Sequence, residues 1–483
     1  MNENKTIVSS FVWKFSERLL SQGFGLVIQI FIARMIKPEA IGEMAILLSV
    51  INIFSVFAQS GFSSYIIQKK DLKGEAVSSI ALFSIIIALG CMGLLWMLGD
   101  PLMEFLGYPK LGSYIKISGI MLIFNAINGV LTGILSKQMQ FRKMFFRTLI
   151  VLPLSAIVCI TLMFYGMELE ALIAYNIVNP LLTTVFLILL LKSDNHKFVF
   201  VINIYELKSS LPYSTKVLAQ DIGNVCCNSI RNLIMGGIYT SSALAYYDRA
   251  FTYTSYVEES VTYTASSVLL PALAKEQDNR SKFSNYIVKS TAVYSLFIIP
   301  ALLGFAAVSP TFIKLILTDK WMACVPYICI FAIGFLHYPI LTIQRPAFLA
   351  CGRSDVTLKI TMIQNVISLL TIFITLNFST IAIAVGTSIS LLSYIPLYMC
   401  STKRYLGISY SMQIGPMFKY TFLALIMAVC VTPINTVSLN SFLKLGLQVV
   451  LGAVTYIGLL VLTRDRFFFG ILNKLKERIK QNE

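Results

Sequence analysis

Fourteen apolar stretches, each near the 20 residues a helix needs to cross a bilayer core about 30 Å thick, follow one another along this chain. They fall at 10–35, 41–66, 77–99, 113–135, 148–166, 170–191, 211–237, 243–271, 286–308, 325–348, 358–376, 379–400, 418–435 and 443–463. The connections are short, and none can hold a folded domain outside the membrane. Lipid offers the backbone no hydrogen bonds, so segments of this kind admit helices and exclude open sheets. Composition agrees: 57% of residues are hydrophobic and 13% charged, about half the charge a soluble surface carries. The expected fold is all-α and polytopic, with about 14 transmembrane helices. The apolar run after Phe11 contains Lys14, Glu17 and Arg18 and is expected to remain as a span, not to act as a cleaved signal.

Lys and Arg orient the spans, because they are retained on the cytoplasmic side. With the N-terminus inside, 25 of the 39 fall in inner loops and tails, 7 in outer loops and 7 within spans. Both termini are therefore expected inside. The net charge of +16 is read as this topology signal and not as a nucleic-acid surface. The nine cysteines show no metal spacing and no disulfide framework. Those in apolar runs are read as small hydrophobes.

The hydropathy pattern repeats. A shift of 203 residues brings Ala40-Ile41-Gly42 onto Ala243-Leu244-Ala245, each just after a short outer turn and before a long second helix. Six spans is an even number, so the two halves share an orientation, related by a pseudo-twofold axis along the membrane normal. Three regions are expected: a six-helix lobe over 1–202, a second over 203–402, and two further helices with a basic tail over 403–483. A cavity between the lobes follows, with the first and seventh helices facing one another. Phe467 to Lys480 reads as an amphipathic inner tail.

Particular residues carry a resemblance. Trp13-Lys14-Phe15 with Glu17-Arg18, then Ile32-Ala33-Arg34, Pro38-Glu39, Gly42, Ser60-Gly61-Phe62 and Ile67-Gln68-Lys69-Lys70-Asp71 resemble the opening of the bacterial polysaccharide transporter family. These are the oligosaccharide-lipid flippases of the multidrug/oligosaccharidyl-lipid/polysaccharide exporter superfamily. Leu244-Ala245-Tyr246-Tyr247-Asp248-Arg249-Ala250 and Pro271-Ala272-Leu273-Ala274 are similar to that family's eighth-helix region. The resemblance implies a non-enzymatic flippase in the bacterial inner membrane. Its cargo would be an undecaprenyl-diphosphate-linked oligosaccharide for O-antigen, capsule or exopolysaccharide. Partners would be membrane lipids and the polymerase and chain-length proteins of the pathway. No cofactor is expected, apart from candidate coupling to H+ or Na+.

An ionisable group in a span costs at least about 2.5–3.5 kcal/mol, so it normally faces a cavity or a partner. Lys14, Arg18 and Gln22 form one stripe of the first helix, beside Glu17. Asp221, Asn224, Asn228 and Arg231 form a polar stripe on the seventh, with Lys216 near its end. The eighth carries Arg249, Tyr253, Tyr256 and Tyr263 near one face, with Glu258 and Glu259 beside them. Lys289 and Arg345 complete the set. Arg suits a diphosphate through its planar fork, and Tyr offers a ring and a hydroxyl to sugars. The candidate cavity residues are therefore Lys14, Arg18, Arg231, Arg249, Tyr253, Tyr256, Lys289 and Arg345. Glu17, Asp221 and Glu259 are candidates for ion coupling or for a contact between lobes. The bland alternatives are hydrogen-bonded helix packing for the asparagines and an interfacial belt for Tyr246 and Tyr247. His337 is read as a packed helix residue.

No GxxxxGK[ST] loop and no HExxH or Cys/His ligand spacing occurs. Two other readings stay open. One is a multidrug or organic-cation exporter, against which the first, second and seventh to tenth helices hold seven cations to six acids. The other is a membrane-embedded polymerase or glycosyltransferase, for which the outer loops are short.

Overall fold

A computed structural model describes residues 3–59, 61–69, 74–193, 203–276 and 280–482, and every regular element among them is helical. The chain opens with α1 (Glu3–Met35), α2 (Pro38–Gln59) and the short α3 (Phe62–Gln68). There follow α4 (Gly74–Phe105), α5 (Leu111–Ser118), α6 (Met121–Lys137), α7 (Phe141–Phe164) and α8 (Leu169–Ser193). The long α9 (Ile204–Ile238), α10 (Ser241–Glu276) and α11 (Arg280–Ile316) come next. After a 3-10 turn at Asp319–Cys324 stand α12 (Val325–Gly334) and α13 (Tyr338–Ala350), then α14 (Ser354–Thr375), α15 (Thr380–Leu392) and α16 (Tyr394–Leu406). The chain ends on α17 (Tyr410–Val431), α18 (Ser441–Leu462) and α19 (Arg466–Asn482).

Among the described residues, eleven helical segments are long and apolar enough to cross a membrane. Three others, α1, α9 and α10, have ample length at 33, 35 and 36 residues but do not reach that apolarity. These are the helices on which the sequence places most of its intramembrane charge. Low apolarity here marks polar faces within the fold, not a failure to be helical.

Several expected single spans are broken rods. The stretch read at 41–66 divides into α2 and α3 around Gly61, whose φ of 67° is left-handed. A Cβ there would lie 2.7 Å from Val217 Cβ on α9, so both the backbone and the packing need glycine. The stretch at 325–348 breaks at a 3-10 turn, Phe335–His337, where His337 is buried with Nδ1 2.9 Å from the Gly334 carbonyl. Its ring stacks on Tyr394 at 5.4 Å, a packing role. Hydropathy averages over a window and is blind to one left-handed residue or one tightened turn.

Contacts divide the chain into two compact units, Met1–Ala245 and Tyr246–Glu483. The helix that follows the expected lobe boundary at 202, α9, packs on α2, α3 and α4 and lies within the first unit. Tyr65 and Ser209 hydroxyls meet at 3.0 Å, and Tyr108 donates to the Gly236 carbonyl at 2.9 Å. The turn before α10 also belongs here: Ser242 Oγ donates to Glu39 Oε1 at 2.9 Å, and a Cβ on Gly42 would collide with the Ser241 carbonyl. In the second unit the core gathers Leu302, Phe335, Phe348, Tyr398 and Tyr420 around α11.

Candidate functional site

In the first unit the polar face of α1 centres on Glu17. The helix stacks Lys14 three residues before it, and Lys14 Nζ donates to Oε2 at 2.7 Å. From α7, Arg147 Nη2 donates to Oε1 at 3.0 Å, with Thr148 Oγ1 at 3.4 Å. Glu17 is only 7% exposed. A carboxylate buried that far is tolerated because two cations and a hydroxyl meet it. The cluster keeps one surplus positive charge. Trp13 braces the same seam, edge-on to Phe145 at 5.3 Å, with the Arg142 guanidinium over its ring. Arg18, one turn beyond Lys14, is exposed.

Arg147 lay among the basic residues counted as topology signal, so the sequence reading passed it over. The signal was available: it sits in the first turns of α7 followed at once by Thr148, and an unpaired Glu17 needed a cation.

The polar stripe of α9 divides. Asp221, Asn224 and Asn228 line a cavity of about 460 Å³ between α9, the α2–α3 break and α6. Arg231, within one turn of Asn228, is buried and donates to Asn228 Oδ1 at 2.9 Å. The first unit thus holds two separate polar features, the Glu17 cluster and the amide-lined cavity. The side chain of Lys216 lies outside the described residues.

In the second unit α10 brings Arg249, Tyr253 and Tyr256 onto one side. Arg249 and Tyr253 are buried, and Tyr253 packs edge-on to Phe312 of α11 at 6.3 Å and to Tyr256 at 6.5 Å. Among the described residues, the Tyr253 hydroxyl has no hydrogen-bond partner. Of the adjacent acids, Glu258 is the buried one, accepting from Thr262, whose hydroxyl also meets that of Tyr294. Glu259 is half-buried. Glu258 was named only as a neighbour on sequence; its position relative to α11 could not be read from α10 alone. Lys289 on α11 and Arg345 on α13 are exposed. The Tyr263 side chain lies outside the described residues.

The second unit also has an apolar groove of about 710 Å³ between α11, α17, α18 and α19. Pro300, Gly304, Gly452 and Ala453 keep its walls low, and Phe468 and Leu472 of the tail helix close one side. Asp465 fixes that tail. It accepts from the backbone N–H of Phe467 at 3.0 Å and of Phe468 at 2.9 Å, capping α19, and from Lys419 and Tyr420 of α17. Burial pushes the Asp465 carboxyl up, but the hydrogen bonds and charge of Lys419, with Phe468 and Tyr420, outweigh it and hold it below its ordinary value of 3.8.

A many-helix membrane protein with two compact units, a few charged helices, a polar cavity and an apolar groove has the form of a membrane transporter. Its fold matches that of the solved structure "Lipid II flippase MurJ, inward closed conformation", with a TM-score of 0.72 at 16% identity, covering 94% of this chain and 99% of that one. Residues 31–326 match the family described as "Polysaccharide biosynthesis protein", and the chain belongs to that family. It is 21% identical over 431 residues to the lipopolysaccharide biosynthesis protein WzxC of Escherichia coli (strain K12), covering 88% of this chain and 87% of the relative. It is 26% identical over 424 residues to the probable lipid II flippase MurJ of Rickettsia prowazekii (strain Madrid E), covering 79% and 81%. Neither relative is named as an enzyme.

Proposed function

We propose that this protein is a flippase that carries an undecaprenyl-diphosphate-linked oligosaccharide across the cytoplasmic membrane for surface polysaccharide synthesis. The observation that carries the reading is that α1, α9 and α10 alone among the long helices fall short in apolarity, in a family of polysaccharide biosynthesis proteins. A diphosphate-linked sugar needs charged and polar walls in mid-membrane, whereas an acyl-like tail needs apolar ones. Arg18, exposed one turn beyond Lys14 of the Glu17 cluster, is the first candidate for the diphosphate. Lys14, Arg231, Arg249, Lys289 and Arg345 would contribute as the units rearrange, with Tyr253 and Tyr256 toward the sugar. The groove of α11, α17, α18 and α19 suits the polyprenyl tail.

All fourteen long helices would cross the membrane with both termini inside, and transport would proceed by alternating access of two halves. Coupling to H+ or Na+ would fall to Glu17, Asp221 or Glu259.

The test is complementation. In a strain lacking its own flippase, expression of this chain should restore surface polysaccharide, and Arg18→Ala should not at equal protein level. Efflux of organic cations without restored polysaccharide would favour the multidrug reading instead.

A further inference from the structure

Two helices of the first unit present side-chain amides to one space. Asn52, Ser55 and Gln59 are spaced i, i+3, i+7 on α2, and Asn224 and Asn228 are i, i+4 on α9; all five line the 460 Å³ cavity. Polar residues in spans commonly serve as glue between helices. These do not. Among the described residues the hydrogen bonds of this set stay within one helix: Gln59 Nε2 to Ser55 Oγ at 2.9 Å on α2, and Arg231 to Asn228 at 2.9 Å on α9. Among the described residues, the side chains of Asn52 and Asn224 make no hydrogen bond. Both amides are therefore available to a ligand.

The cavity also sits where the backbone is irregular. The α2–α3 break at Gly61 lines it. Non-helical backbone at membrane depth is tolerated where it is buried in protein or faces a water-filled cavity. The volume lies within the roughly 300–1,000 Å³ of small-molecule sites and far exceeds a bare ion. Asp221 brings the one formal charge among the lining residues, and it is negative. An anionic group would be repelled there. A hydroxyl-rich neutral group would find carbonyl acceptors, N–H donors and a carboxylate.

We propose that this cavity is the glycan subsite, and that Asn52 and Asn224 hold an uncharged hexose or acetamido-hexose of the cargo. The inference rests on the flippase reading and adds to it: the diphosphate and its first sugars are gripped in different places, the sugar by the amides of α2 and α9. Glycan preference is then set by side chains that carry no charge.

The experiment uses the full-length chain in lipid nanodiscs and four probes. These are undecaprenyl diphosphate and the same lipid bearing glucose, galactose or N-acetylglucosamine. Wild type should bind at least one glycosylated lipid about tenfold tighter than the bare one. Each amide hydrogen bond is worth about three- to tenfold in affinity, so Asn52→Leu with Asn224→Leu should erase the preference. Unchanged binding of the bare lipid shows that the double variant is folded. A double variant that keeps the preference, or a wild type that binds all four alike, overturns the subsite and leaves the flippase reading standing. A wild type that binds none of the four overturns both.

Discussion

Glu17 Oε1 accepts a hydrogen bond from Arg147 Nη2 at 3.0 Å, joining two helices whose partner residues lie 130 positions apart. Both side chains are largely out of water, at 10% and 18% exposure. Removing one member leaves the other charge buried and short of its partner, which costs about 3–5 kcal/mol in buried pairs. Arg147→Gln should therefore lower the thermal midpoint of the purified protein by several degrees. Glu17→Gln together with Arg147→Gln should recover much of it. Equal melting of the single variant and wild type would show that the pair does not hold α1 to α7.

Arg18 and Arg249 differ in burial, and their variants should differ accordingly. Arg18→Ala should accumulate normally and lose at least tenfold in export per molecule, with Arg18→Lys intermediate because a point charge lacks the bidentate fork. Arg249→Ala should show reduced folded protein as well as reduced export, because Arg249 is buried. Normal export from abundant Arg18→Ala protein would remove Arg18 from the transport path.

Gly61→Ala tests the break in the second span. A left-handed backbone disfavours an L side chain by about 1–2 kcal/mol, and the new Cβ would also press on Val217. Folded yield should fall, and Val217→Ala added to Gly61→Ala should restore part of it. Wild-type yield and melting for Gly61→Ala would mean that the break relaxes without cost.

Filling the apolar groove should slow transport without unfolding the protein. Ala301→Phe and Ala453→Phe each place a ring in the space between α11 and α18. Export should drop several-fold at unchanged protein level, read by surface polysaccharide. Full export from both variants would separate the groove from the lipid path.

The tail should be released by acid. Asp465 has a folded pKa below its ordinary 3.8, so its contribution is fully present above that value and is lost as pH falls through the folded one. Protease protection of α19 should persist at pH 5 and at pH 4, and be lost only as pH falls below 3.8 through the folded value. Asp465→Asn should expose α19 at neutral pH. Protection of that variant at pH 7 would show that α19 is held by its apolar face alone.

Much of the fold was legible in the sequence because a bilayer imposes a length on every span. The positions of α4, α7, α14 and α18 follow from apolar runs that could be nothing else, and the amphipathic tail from its own periodicity. The polar stripes of α1, α9 and α10 were equally plain, since charge inside a span stands out against the apolar background. Amide and charge spacing placed Asn224 and Asn228 with Asp221 on one face before any neighbour was known.

What only the tertiary structure decided is which face meets which helix. Lipid tails are as apolar as leucine, so nothing in the composition of α9 says that it packs on α2, α3 and α4. The partner of Glu17 lay 130 residues away, and the glycine break at Gly61 depends on Val217 pressing from another helix. The cavity and the groove belong to no single element. Span length and charge placement are properties of one segment in its solvent and can be read locally; partners, breaks and cavities arise from packing between distant segments, and local sequence does not carry them.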